Sequence, residues 1–304
     1  MNAVLRVVKP GLLTTVQDLG RPHAISSGVS PGGAMDRFAH SAANLLVGND
    51  RIAATLECTL IGPRLVAERA CLIAVTGADL GLRVNGAEAP AWTSIALGEG
   101  DEVAFGGRRT GARAYIAVAG GVVADRWLGS MSTNLLVGRA GMHGRALVEG
   151  DVIDAAQPSD PPPPGRELNA RPDYGRHALD AISGPHANPA IFDRVFTVSP
   201  SSNRMGYRLD GPIVEARADE LLSFNVVAGA VQVPSGGQPI LLMADHQTAG
   251  GYPVVAVVVS ASLPIAAQLA PGDEVTFVET SIDEALRMRS AQREALDSLT
   301  IWSM

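Results

Sequence analysis

The chain has 304 residues, 46% of them apolar, with a net charge of -7 at pH 7 and a pI near 5.4. That length accommodates one large or two ordinary domains, and the acidic balance argues against nucleic acid or an anionic membrane as the main partner. Lys9 is the sole lysine among 24 basic residues, which excludes a P-loop and makes a Schiff base or covalent biotin on this chain a poor expectation.

Met1 to Pro10 is interrupted by Arg6 and Lys9 and lacks the apolar core of a signal peptide, and the longest apolar runs are strand-sized. With Cys58 and Cys71 too few for a disulfide framework, the expectation is a cytoplasmic protein without membrane contact. Thr14 to Pro22 crowds hydroxyl, amide, carboxylate and guanidinium groups together, making Thr15, Gln17 and Arg21 binding candidates; an Asp18–Arg21 pair is the structural alternative. Gly28-Val29-Ser30-Pro31-Gly32 matches the nucleophile-elbow pattern, but Pro31 has no N–H for an oxyanion. Gly32 and Gly33 precede a helix expected over Ala34 to Val47, where free N–H groups would suit an anion.

Short Val, Ile, Leu and Ala runs separated by Gly-Asp and Gly-Gly turns make both halves mainly β. Residues 157–172, with four consecutive prolines, form the expected linker between an N-terminal domain at 1–156 and a C-terminal domain at 173–304. A Gly-Asp turn recurs in Leu97 to Val103, Leu147 to Val152 and Leu269 to Val275, suggesting related halves. Ser201 to Leu209 offers Arg204 and Arg208 beside Tyr207, suited to planar recognition of carboxylate or phosphate. Ala244 to Pro253 is the densest polar segment, placing Asp245, His246, Gln247, Thr248 and Tyr252 between two apolar runs. Ser281 to Glu284 is a capping box opening a helix through about Leu299, read as a solvated lid on the second domain. The six histidines fall in no metal-ligand spacing, so no metal is expected.

Gly11-Leu12-Leu13-Thr14-Thr15-Val16-Gln17-Asp18-Leu19-Gly20-Arg21, Ala43 to Asn49, Thr76 to Leu80, Arg204 to Leu209, Val231-Gln232-Val233-Pro234, Gln238-Pro239-Ile240 and Gln247 to Pro253 follow in order. Together they resemble the C-subunit family of bacterial 5-oxoprolinase, also described as allophanate hydrolase subunit 2 or biotin-dependent carboxyltransferase-like. The resemblance spans about Leu12 to Val278 and adds Gln232 and Gln238 as binding candidates. It implies two cyclophilin-like β-barrel domains, a smaller partner subunit, a lactam-hydrolysing subunit, and ATP bound by the complex. The implied reaction converts 5-oxoproline and ATP to glutamate, ADP and phosphate.

The chemistry of these residues suggests that Arg204 and Arg208 hold a carboxylate or phosphate, Gln247 and Thr248 bind an amide or lactam, and Asp245 or His246 moves a proton. Met131, Asn203 and His246 stand where the family commonly has arginine, aspartate and arginine, and His246 would regain charge below about pH 6.5. Two other roles follow from relatives of the same family. One is the carboxyltransferase half of a urea carboxylase, with biotin on another chain. The other is a regulatory antagonist of a histidine-kinase inhibitor.

Overall fold

A computed structural model describes residues 3–158, 160–192, 194–216 and 221–299. Ser159 of the proline-rich segment and residues 300–304 of the second expected domain lie outside this range. The described chain is mainly β and divides into two units.

In the first unit, all strand pairs are antiparallel. One sheet runs in the order Val122–Val123, Val152–Ala155, Ala3–Lys9, Arg64–Ala67, Glu102–Phe105, Leu82–Val84, Ala87–Glu88. The other runs Leu13–Gln17, Thr55–Thr59, Thr110–Val118, Cys71–Asp79, Ser94–Leu97. Val4, Leu5, Leu65 and Val103 from the first sheet and Leu56, Ile73, Val75 and Ile116 from the second share one buried core. Helix α1, Arg37–Leu46, lies against the five-stranded sheet, where the Thr76 hydroxyl donates to the Ala39 carbonyl at 2.7 Å.

The second unit is a closed seven-stranded barrel. Its order is Ala178–Ser183, Val254–Val258, Ala230–Gln232, Ile240–Leu242, Gly206–Asp210, Val195–Val198, Glu274–Glu279. A parallel pairing of the last strand with the first closes the ring. Leu179, Phe196, Leu209, Val231, Leu241, Val255 and Phe277 fill it. Two further helices follow, α2 at Leu263–Ala267 and α3 at Ile282–Asp297.

The three Gly-Asp turns share one construction. Asp101, Asp151 and Asp273 each accept a hydrogen bond from the backbone N–H three residues earlier, at 2.6, 2.8 and 2.8 Å. Gly100, Gly150 and Gly272 precede them at φ of 85°, 87° and 90°, a region that disfavours any side chain. Each turn delivers the chain into a strand, and the device occurs in both units.

Three sequence expectations need correction. First, the units are discontinuous, because Arg21–Met35 packs with Pro172–Gln292 while Asp36–Arg171 and the segment from Arg293 group with the first strands. Met35 is buried in the barrel's apolar core, which holds its segment there. Second, the proline-rich segment straps the first unit: Gly165 N–H donates to Ser94 O at 2.8 Å, Ser94 N–H to Arg166 O at 2.8 Å, and Leu168 N–H to Trp92 O at 3.0 Å. Third, α3 opens at the expected cap, with Glu284 N–H on Ser281 Oγ at 3.1 Å, but its last turn belongs to the first unit, where Asp297 pairs with Arg51.

Candidate functional site

In the second unit the dense polar segment folds as a loop after Ile240–Leu242. Met243 N–H donates to Met205 O at 3.0 Å and Asp245 N–H to Arg204 O at 2.9 Å, so this loop runs alongside the turn carrying Arg204. Arg204 meets Asp245 in a two-pronged ion pair, Nε to Oδ2 at 2.9 Å and Nη2 to Oδ1 at 3.1 Å. Nη2 also donates to Gly33 O at 2.6 Å, and Gly32 N–H donates to Ala244 O at 3.1 Å. The two side chains are 7% and 16% exposed, so the charges neutralise each other in a largely dry setting.

Gly32 sits at φ 62°, and a Cβ there would stand 2.9 Å from Arg21 Nη1 and 3.6 Å from Asp245 Oδ1. The positive φ favours glycine there, and any side chain would displace the Arg21 guanidinium. Arg21 is fully buried and stands in this cluster, while the Asp18 carboxylate is taken up by serine hydroxyls and backbone N–H groups of the first unit. The anion-binding expectation for Gly32 and Gly33 changes too. The helix starts later than expected, at Arg37, and the Asp36 carboxylate already caps Ala39 N–H at 2.9 Å.

Beside this cluster lies a pair of amides. Gln247 Nε2 donates to Gln232 Oε1 at 3.0 Å. Gln232 is 1% exposed and ends Ala230–Gln232 beside a register shift whose extra residue, Val255, sits on the neighbouring strand Val254–Val258. A Cβ on Gly250 would come within 2.8 Å of Gln232 Nε2, so Gly250 makes room for the pair. His246 is buried, with Nδ1 2.6 Å from Gln247 O. A carbonyl only accepts, so Nδ1 carries the proton and Nε2 is the basic nitrogen of the neutral ring. Burial lowers the His246 pKa, partly opposed by that hydrogen bond and by the Asp245 charge. The expected positive charge near pH 6.5 is therefore displaced to lower pH.

Other candidates separate from this cluster. Arg208 lies on the exposed face of Gly206–Asp210, so the two arginines do not form one anion clamp. Tyr207, on the opposite face, is 2% exposed in the barrel core. Gln238 spends its amide on both backbone groups of Gly211, at 3.1 Å each. Thr248 is partly buried, with its carbonyl on Val226 N–H at 3.2 Å, and Tyr252 is 49% exposed.

Thr15 and Gln17 lie on a strand of the first unit. Gln17 Nε2 donates to Thr15 Oγ1 at 3.0 Å and to Thr133 O at 3.4 Å, and all three residues are buried. The sequence reading missed the groups around them. Asp18 accepts from the hydroxyls of Ser130 and Ser132, each at 2.6 Å, and from Gly20 and Met131 N–H, each at 2.7 Å. Burial alone would raise its pKa, but these four donors outweigh it and hold the carboxyl below its ordinary range. Tyr115 donates to Glu57 Oε2 at 2.8 Å and accepts from Asp36 N–H at 2.7 Å. His40, fully buried, meets Thr55 Oγ1 at 2.9 Å, and burial pushes its pKa down to about 4. A serine pair far along the chain from Asp18 leaves no local signal, and Glu57 lies in the regularly alternating Thr55-Leu56-Glu57-Cys58-Thr59, whose polar face reads as solvated although the structure buries it.

Among the described residues no cluster of three metal-ligating side chains occurs, and no helix is long and apolar enough to cross a membrane. Residues 27–279 match the family described as carboxyltransferase domain, subdomain A and B. The chain belongs to that family. Within it, the chain is 37% identical to the 5-oxoprolinase C subunit of Escherichia coli (strain K12), over 97% of both chains. It is 33% identical to the Haemophilus influenzae protein of the same name, over 94% of both. The crystal structure of Kluyveromyces lactis urea carboxylase superposes with a TM-score of 0.88 at 31% identity, over 98% of this chain and 29% of that one. This carboxyltransferase-family chain thus spans under a third of the urea enzyme and nearly all of the oxoprolinase proteins.

Proposed function

We propose that this carboxyltransferase-family chain is a component of an ATP-dependent 5-oxoprolinase, acting with partner subunits to open the lactam of 5-oxoproline to glutamate. The observation that carries this reading is the end-to-end match, 97% of each chain, to a protein named as the C subunit of 5-oxoprolinase. A lettered subunit implies an assembly, and this chain lacks the lysine a P-loop would need: Lys9 lies exposed at the end of Ala3–Lys9. ATP is thus a substrate of the assembly, and no step is assigned to an ATP contact on this chain. Lys9 also ends a strand paired on both sides within a sheet rather than standing at a hairpin tip, so biotin is assigned to another chain.

Arg204 is a positioning residue in this reading. Its ion pair with Asp245 and its bond to Gly33 O fix the loop that carries His246 and Gln247. Gln247 has committed Nε2 to Gln232, so it presents Oε1, an acceptor for a lactam N–H. His246 supplies a neutral imidazole whose Nε2 can take a proton from water as it adds to the activated carbonyl. The imidazolium then returns that proton to the lactam nitrogen as the C–N bond breaks.

The test is substrate choice by the reconstituted assembly. ADP release that depends on 5-oxoproline and is indifferent to avidin supports the reading. ADP release that depends on urea and is blocked by avidin would replace it with the carboxyltransferase role. A stable assembly that turns over neither would replace it with the regulatory role.

A further inference from the structure

A groove of about 480 Å3 opens in the first unit, lined by Asp18, Gly20, Asp50, Gly120, Arg126 and Met131 among others. Asp18 is 9% exposed, and its ionised form is favoured by four neutral donors. Oδ1 takes three of them, from Ser130 Oγ, Ser132 Oγ and Gly20 N–H, whereas Oδ2 takes Met131 N–H. Oδ2 therefore keeps accepting capacity.

The supporting shell is rigidly built. Ser132 Oγ accepts from Asp18 N–H at 2.9 Å while donating to its carboxylate, and Ser130 Oγ accepts from Ser132 N–H at 3.0 Å. Arg37 is close enough for its charge to feel Asp18, but among the described residues no ion pair joins it to the carboxylate. A charge this buried is ordinarily matched by an opposite one. Two carboxylates, Asp18 and Asp50, and one guanidinium, Arg126, line the groove, leaving it one negative charge in excess. Arg126 is exposed and held by a 3.4 Å bond to Gly129 O, so it can turn toward a ligand anion. The remaining walls are glycine and apolar side chains.

We propose that this groove binds a small α-amino acid, with its ammonium on Asp18 Oδ2 and its carboxylate toward Arg126. The site goes beyond the oxoprolinase reading and does not depend on it.

The experiment is calorimetric titration of the chain alone, without ATP or partner subunits, using L-glutamate as probe and glutarate as the analogue lacking the ammonium. Binding of glutamate at least about tenfold tighter than glutarate is expected. Met131→Arg, which sets a cation beside Asp18 while keeping the backbone N–H bond, should weaken glutamate by about tenfold or more. Arg126→Gln should weaken it by a similar factor. Asp18→Asn should abolish it, and Met131→Arg and the glutarate comparison keep the test decisive if that variant misfolds. Equal affinity for glutarate, unchanged affinity in Met131→Arg, or no binding of glutamate up to about 10 mM would each overturn the proposal. Because no turnover is read, loss of oxoprolinase activity leaves this result untouched.

Discussion

Arg204 and Asp245 carry most of the consequence at the scale of single residues. Removing the guanidinium strands a carboxylate that is 16% exposed, a change that typically costs about 3 kcal/mol. Arg204→Ala should therefore lower the urea midpoint clearly and abolish turnover, while Arg204→Ala with Asp245→Ala should recover part of the stability without the activity. A double variant no more stable than Arg204→Ala would contradict the pairing. His40 makes a second prediction, from pH. Its folded pKa, about 4, lies below the ordinary 6.5, so the unfolded chain binds the extra proton between those values. Stability from the neutral ring is fully present above about pH 6.5 and is lost as pH falls to about 4, a total of about 3 kcal/mol. Urea titrations across that window should show the loss in the wild type and a flatter profile in His40→Asn.

At the scale of elements, local signals were legible and distant ones were not. The capping box at Ser281 and the apolar face of α1 were readable because both are spelled within a turn or two of helix. The Gly-Asp turns were readable as turns, but the aspartate that closes each one needed the structure. Asp273→Ala should cost about 1 kcal/mol by freeing Ala270 N–H, and Asp36→Ala a similar amount by uncapping α1. Thermal melts would check both, and a shift no larger than that of an exposed Glu149→Ala would contradict them. The shell of Asp18 was illegible because Ser130 and Ser132 reach it from another part of the chain. Arg208 was misread for a different reason. It stands only four positions after Arg204, but the intervening residues enter a strand whose alternation turns Arg208 outward.

At the scale of the whole chain, mainly β architecture was foreseen from short apolar runs and turn spacing, whereas the division into two was drawn at a proline-rich segment that in fact straps the first unit. The exchange of Arg21–Met35 into the barrel unit was not foreseen. The segment is rich in glycine, proline and serine, which reads as a loop without saying which unit it joins; Met35 in the barrel core and the Arg204–Gly33 bond hold it there, and both are tertiary facts. Asp245, His246 and Gln247 lie on one loop held by Arg204, within the residues that match the carboxyltransferase family. The central claim is that such a domain here serves lactam opening. Its most direct test is the stoichiometry of ADP and glutamate formed from 5-oxoproline by the reconstituted assembly, with and without this chain. Equal amounts of both products, falling to background when the chain is omitted, is the predicted result. Glutamate formed at the same rate without this chain would contradict it.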